Sequence, residues 1–216
     1  MQTRIRRTAV VVAAAALLPL GLTACSDSDS KDKASDSASD TASKGSDEGS
    51  PSKDMDSMNE PFGSGCSSVP KDGKGSFDGM AKDPVATAAS NNPALSTLVT
   101  AVKKAGLVDT LNNAKDITVF APTNDAFDKI PKADLDKVLN DKAQLTKILT
   151  YHVVGKQLAP EDLQNGSFPT LEKSKLTTSG SGESFKVNDN AEVVCGNVRT
   201  ANANVYIIDT VLMPKS

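Results

Sequence analysis

Residues 118–127 read Thr118-Val119-Phe120-Ala121-Pro122-Thr123-Asn124-Asp125-Ala126-Phe127. With Ile117 in front, the β-branched and aromatic run to Phe120 reads as a strand, and Ala121-Pro122 stops it. Thr123 stands where a helix cap belongs, ahead of a short helix carrying Ala126, Phe127 and Ile130. A strand thus gives way to a capped helix within about a dozen residues.

Outward toward the N-terminus the periodicity is helical. Asp83-Pro84 opens a helix, with Asp83 as cap and Pro84 at its first position, burying Val85, Ala88 and Ala89. Pro93 begins a second, in which Leu95, Leu98, Val99 and Val102 share one face. Gly106 ends it after Lys103 and Lys104, whose charges suit the negative end of the helix dipole. One more turn passes through Val108 and Leu111. Outward toward the C-terminus, two helical pieces centre on Leu135, Val138 and Leu139, then on Leu145, Ile148 and Leu149. After them the period shortens. Tyr151-His152-Val153-Val154 reads as a strand ended by Gly155. Lys175–Thr178 and Ser184–Val187 form a hairpin around Ser179-Gly180-Ser181-Gly182-Glu183. Ala191–Cys195 is a further strand, and Val205–Val211 the last and most apolar. Helices gather in the first half and strands in the second, which makes the class α+β. No repeat divides residues 61–216, so they are expected to form one domain.

Three stretches carry a family resemblance. Thr118–Phe127 resembles the first signature of the fasciclin (FAS1) family, Tyr151-His152-Val153-Val154 its central Tyr-His element, and Val205–Pro214 its closing signature. Gly65-Cys66 and Val193-Val194-Cys195-Gly196 are similar to features of the single-domain secreted and lipid-anchored fasciclin proteins of mycobacteria and other actinobacteria. The resemblance implies helices first and a β-sheet wedge second. It also implies a non-catalytic binding or adhesion module. Many fasciclin domains carry Gly and His where this chain has Asn204 and Tyr206.

The start of the chain has another character. Arg4, Arg6 and Arg7 precede an apolar run from Ala9 to Leu20, too short for a bilayer core of about 30 Å, so residues 1–24 read as a signal peptide. Leu22-Thr23-Ala24-Cys25 resembles a bacterial lipobox, which implies diacylglycerol on Cys25 and cleavage before it. More than one acyl chain meets the requirement for stable anchoring. Residues 25–60 then turn to Ser, Asp, Lys, Gly and Ala, too polar to offset ordering entropy, and read as a disordered tether. About 35 flexible residues span on the order of 30–35 Å. The Asp-rich run lacks the glycine spacing of a calcium loop. Ser50-Pro51-Ser52-Lys53 matches an S-x-x-K motif only by chance, with no helix to present it.

The 216 residues carry a net charge of -3, three Cys, one His and no Trp. No clustered positive charge supports a nucleic-acid partner. With Cys25 acylated, Cys66 and Cys195 remain, and in an oxidising compartment they are expected to form a disulfide. His152 has no nucleophile-elbow glycines and no second His around it, so neither a triad nor a metal site assembles. It reads as a hydrogen-bonded core histidine fixing a loop near Thr123 or Asn124. In some animal fasciclin domains the Tyr-His element is implicated in integrin contact, and the resemblance carries that weaker role to Tyr151 and His152. Asp209, inside the most apolar strand, must be paired or hydrogen-bonded and is assigned with Thr123, Asn124 and His152 to a structural polar network. No catalytic residue, metal or cofactor is expected.

The functional expectation is therefore a display module outside the cell. It would be held to the outer face of the cytoplasmic membrane through Cys25, in part shed, and engage an extracellular protein or a wall or matrix component. The alternatives are an envelope enzyme or small-ligand carrier with a pocket near His152, and a passive envelope component.

Overall fold

The computed structural model describes residues 60–214. The leader, Cys25 and residues 26–59 lie outside that range. No helix among the described residues is long and apolar enough to cross a membrane.

A 3-10 turn at Ser64–Ser68 leads into α1 (Phe77–Met80), capped by the Ser76 hydroxyl, which accepts from Gly79 N–H. Next come α2 (Val85–Ser90), α3 (Ser96–Ala105) and α4 (Val108–Asn113). A 3-10 turn at Pro93–Leu95 feeds α3, and Gly106 closes it at φ 74°, a conformation that glycine adopts without strain. Strand β1 (Ile117–Pro122) is followed by α5 (Asn124–Asp128), α6 (Lys132–Asn140) and α7 (Lys142–Tyr151). The rest is mainly sheet: β2 (Val153–Val154), β3 (Asn165–Pro169), β4 (Lys175–Ser181), β5 (Ser184–Val187), β6 (Ala191–Arg199) and β7 (Ala203–Ile208).

The seven strands form one sheet in the order β2-β1-β7-β6-β5-β4-β3. β1 and β7 run parallel and the other pairs antiparallel. The parallel pair needs a long crossover, and all the chain from α5 to β6 supplies it. The two edges of the sheet meet: Val154 of β2 bridges to Thr170 just beyond β3, and Leu171 N–H donates to Val153 O at 2.8 Å.

Both faces of β1 and β7 are buried, and alternation along them separates two cores. Ile117, Val119, Ala121, Ala203, Val205 and Ile207 pack under the helices. Phe120, Tyr206 and Ile208 point the other way, into a cluster with Leu158, Leu163, Leu176, Phe185 and Val187 that the curled sheet encloses. Phe120 and Tyr206 stack there with ring centroids 5.7 Å apart.

Several elements differ from the sequence reading. Tyr151 is the last residue of α7 and His152 its C-cap, so only Val153-Val154 is strand. Leu145, Ile148 and Leu149 are buried in the core under the helices and Tyr151 in the opposite cluster, and burial of this last turn on both sides overrides the β preference of a four-residue run. The final strand stops at Ile208, which leaves Asp209 just past its end. The hairpin loop is only Gly182-Glu183, because Ser179-Gly180-Ser181 extend β4. Pro84, not Asp83, is the cap residue of α2. That helix takes its first acceptors from far along the chain: Val85 N–H donates to Asn202 Oδ1 at 2.8 Å and Ala86 N–H to Asn112 Oδ1 at 2.9 Å.

Candidate functional site

His152 is fully determined by its neighbours. The end of α7 places its Nδ1 2.8 Å from Ile148 O, and its Nε2 accepts Leu212 N–H at 3.0 Å. An acceptor at Nε2 requires the proton on Nδ1. Burial lowers its pKa to about 4, against the partial compensation of the Ile148 hydrogen bond. At neutral pH it is therefore an uncharged clamp between α7 and the C-terminal segment. The segment it fixes is at Leu212, not at Thr123 or Asn124.

Tyr151 and His152 are each 2% exposed. The Tyr151 hydroxyl donates to Lys175 O and accepts from Asn188 Nδ2, joining α7 to β4. Neither side chain presents a surface to a partner, so the contact role carried over from the Tyr-His element has no accessible group here.

Thr123, Asn124 and Asp209 come together around a surface cleft of about 400 Å³, bordered also by Gly65, Lys129 and Val194. Thr123 Oγ1 caps α5 by accepting from Ala126 N–H at 3.2 Å. Asn124 Oδ1 accepts from Thr97 N–H at 2.9 Å and its Nδ2 donates to Pro93 O at 2.9 Å, fastening the start of α3. Asp209 accepts from Lys129 Nζ at 2.8 Å, Glu192 N–H at 2.8 Å and Thr210 Oγ1 at 3.0 Å. Its burial raises the pKa, but these donors and the Lys129 charge together hold it below the ordinary carboxylate value. With His152, these residues are four local stitches rather than one network: Thr123 closes the start of its own helix, and the other three each join different segments.

Cys66 and Cys195 are joined by a disulfide that ties the first turn to β6. Close backbone approach surrounds it: a Cβ at Gly63, where φ is 105°, would strike Val194 O, and one at Gly196 would overlap the Phe62 ring. A Cβ at Gly65 would likewise crowd Val194, so the glycines beside the two cysteines, Gly65 and Gly196, are explained by space. Phe62 pairs with Gly196 and lays its ring edge-on to Phe185, with centroids 5.5 Å apart.

Sequence reasoning passed over the roles of the half-buried Asn202 and the buried Asn204. Asn202 Nδ2 donates to Leu111 O and Ala114 O while its Oδ1 receives α2, so one side chain serves two helix ends. Asn204 Nδ2 donates to Leu158 O and Asn197 Oδ1, and the Tyr206 hydroxyl donates to the same Leu158 O. Burial, with the charges of Asp162 and Glu161, pushes the Tyr206 pKa upward and keeps it a donor. The alternating Asn202 and Asn204 beside an apolar strand were the available signal. Among the described residues, no group of three or more His, Cys, Asp or Glu is placed to hold a metal ion.

The fasciclin-domain family model matches residues 93–214, more than half of the chain. The chain belongs to the fasciclin family. This fasciclin protein is 54% identical over 147 residues to cell surface glycolipoprotein MPB83 of Mycobacterium bovis, a match covering 66% of each chain. It is 51% identical to immunogenic protein MPB70 of the same species, over 66% of this chain and 75% of the relative. A cyanobacterial relative, protein sll1483 of Synechocystis, is 40% identical over 58% of this chain and 71% of its own. The FAS1 domain pair of the insect cell adhesion molecule fasciclin I aligns with a TM-score of 0.47 at 23% identity, covering 56% of this chain and 45% of that one.

Proposed function

We propose that this protein is a lipid-anchored, non-catalytic binding module displayed outside the cell, with residues 1–24 removed, Cys25 acylated, residues 25–60 as tether and 61–216 as the displayed domain. The observation that carries the reading is the 54% identity to a relative named as a cell surface glycolipoprotein. The lipobox-like stretch ending at Cys25 supports it independently. The partner is an extracellular protein or a wall or matrix component. The surface that engages it is the cleft of Asn124, Asp125, Lys129 and Asp209, which offers charge and hydrogen-bonding groups beside the disulfide. Burial of Tyr151 and His152 favours this surface over the Tyr-His element.

The test is expression of the full chain in an actinobacterium fed an alkyne fatty acid. Labelled protein is expected in the membrane, and Cys25→Ser is expected to be unlabelled and released. Capture of extracellular proteins and wall polymers by the wild-type chain and by Lys129→Glu then probes the cleft. Labelling that persists in Cys25→Ser refutes the anchor, and capture unchanged by Lys129→Glu refutes the cleft.

A further inference from the structure

Between the helical layer and the faces of β1 and β7 beneath it lies a cavity of about 50 Å³. Val85, Leu98, Val102, Leu111, Val119 and Val205 are among the apolar residues of its wall. A water needs about 10–15 Å³ and two to four polar partners, so the space is ample but the lining is poor for water.

The polar side chains at the wall are Ser90, Asn92, His152 and Thr200. Three are committed to the protein. Ser90 Oγ donates to Ala86 O at 2.8 Å, and Thr200 Oγ1 both donates to Ala203 O and accepts Ala203 N–H at 3.0 Å. Both nitrogens of His152 are engaged, as described above. Asn92 differs. It is 1% exposed, and its Oδ1 accepts from Ala94 N–H at 3.0 Å, which fixes the orientation of the amide. Its Nδ2 has no hydrogen-bond partner. A buried donor left unpaired is costly, and such groups in folded proteins call for a specific explanation.

We propose that this cavity is a binding site for a small, neutral, apolar molecule with one acceptor oxygen, its hydrocarbon packed under the helices and its oxygen on Asn92 Nδ2. The size corresponds to on the order of three to five heavy atoms, taking one water-sized volume per atom. A carboxylate does not fit the chemistry, because no Lys or Arg lines the space and one neutral amide does not offset burial of a charge. Ser90 is exposed and Ala89, Val99, Val108 and Thr200 are partly so, which places the approach from solvent at the rim formed by α2, α3, α4 and the end of β6. This site is separate from the surface cleft and stands or falls independently of the display function.

The test uses the full-length, nitrogen-15-labelled chain and two probes of one shape: 2-butanone, and 2-methyl-1-butene, in which CH₂ replaces the oxygen. Both are expected to shift backbone amides of α2 and α3, and only butanone to shift the Asn92 side-chain amide. Asn92→Ser keeps an oxygen near Ala94 N–H but removes the amide donor. It is expected to weaken butanone by about five-fold, the factor for one neutral hydrogen bond, and to leave the alkene unchanged. Ala88→Leu fills the cavity and is expected to abolish both shifts. Absence of shifts from either probe overturns the site, as does binding that survives Ala88→Leu. Butanone binding that leaves the Asn92 side-chain signal unmoved in the wild-type chain overturns the role of Asn92, whether or not Asn92→Ser folds.

Discussion

Acidification should destabilise this domain through a single imidazole. His152 is the only His in the chain, and the fold lowers its pKa from 6.5 to about 4. The unfolded chain therefore takes up a proton below pH 6.5, whereas the folded one resists until about pH 4. The stabilisation is fully present above pH 6.5 and is lost as pH falls toward 4. At 1.36 kcal/mol per unit the whole effect is about 3 kcal/mol, of which about 2 kcal/mol falls between pH 7 and pH 5. The assay is urea unfolding across that interval for the wild type and for His152→Gln, whose amide oxygen can still accept Leu212 N–H. The variant is expected to start less stable at pH 7 and to show a nearly flat profile to pH 5. Carboxylates such as Asp209, held low in the fold, titrate in both proteins and cancel in the comparison. Parallel slopes in the two proteins, or an imidazole carbon resonance that titrates near pH 6.5 in the folded state, would refute this assignment.

Reduction of the Cys66–Cys195 bond, which spans 129 positions, should cost at most about 5 kcal/mol through restored freedom of the unfolded chain. Coincident urea transitions with and without reductant would show that the bridge contributes nothing. Asn202→Ala should destabilise by about 2–4 kcal/mol, since it leaves Val85 N–H and the carbonyls of Leu111 and Ala114 without their partner. Asn202→Asp should not rescue it, because a carboxylate accepts from Val85 but donates to neither carbonyl; equal stability of wild type and Asn202→Asp by chemical unfolding contradicts the dual role.

The fold was legible where periodicity was long or a terminator was present. Leu98 and Val102 with Gly106 marked α3, and Ile117 to Phe120 with Thr123 marked the passage from β1 to α5. Tyr151-His152 misled because four residues fit either period and the deciding influence is packing of Ile148 and Leu149 against the sheet. Strand β3 carries Asn165, Gly166 and Pro169, residues that favour turns, and becomes a strand only because β4 pairs with it. The caps of α2 were illegible for a related reason. Their acceptors, Asn112 and Asn202, are brought to the helix by tertiary structure, and nothing at Asp83-Pro84 announces them. The same holds for Asn92, whose unpaired amide has meaning only beside a cavity that α2, α3, α4 and the sheet build jointly.

The disulfide has a mechanical consequence. Tension that enters at Phe62 reaches Cys66 within four residues and passes through a covalent bond to Cys195, with the rest of β6 and a short turn leading on to β7. For a pull between the N-terminal lead and the segment beyond Cys195, the chain in between, which contains α1 to α7, β1 to β5 and the start of β6, is bypassed. Force would then act on the pairing of β6 with β7 and on the His152 clamp at Leu212, while the helical layer stays slack. Reduction would switch the same pull onto the whole fold.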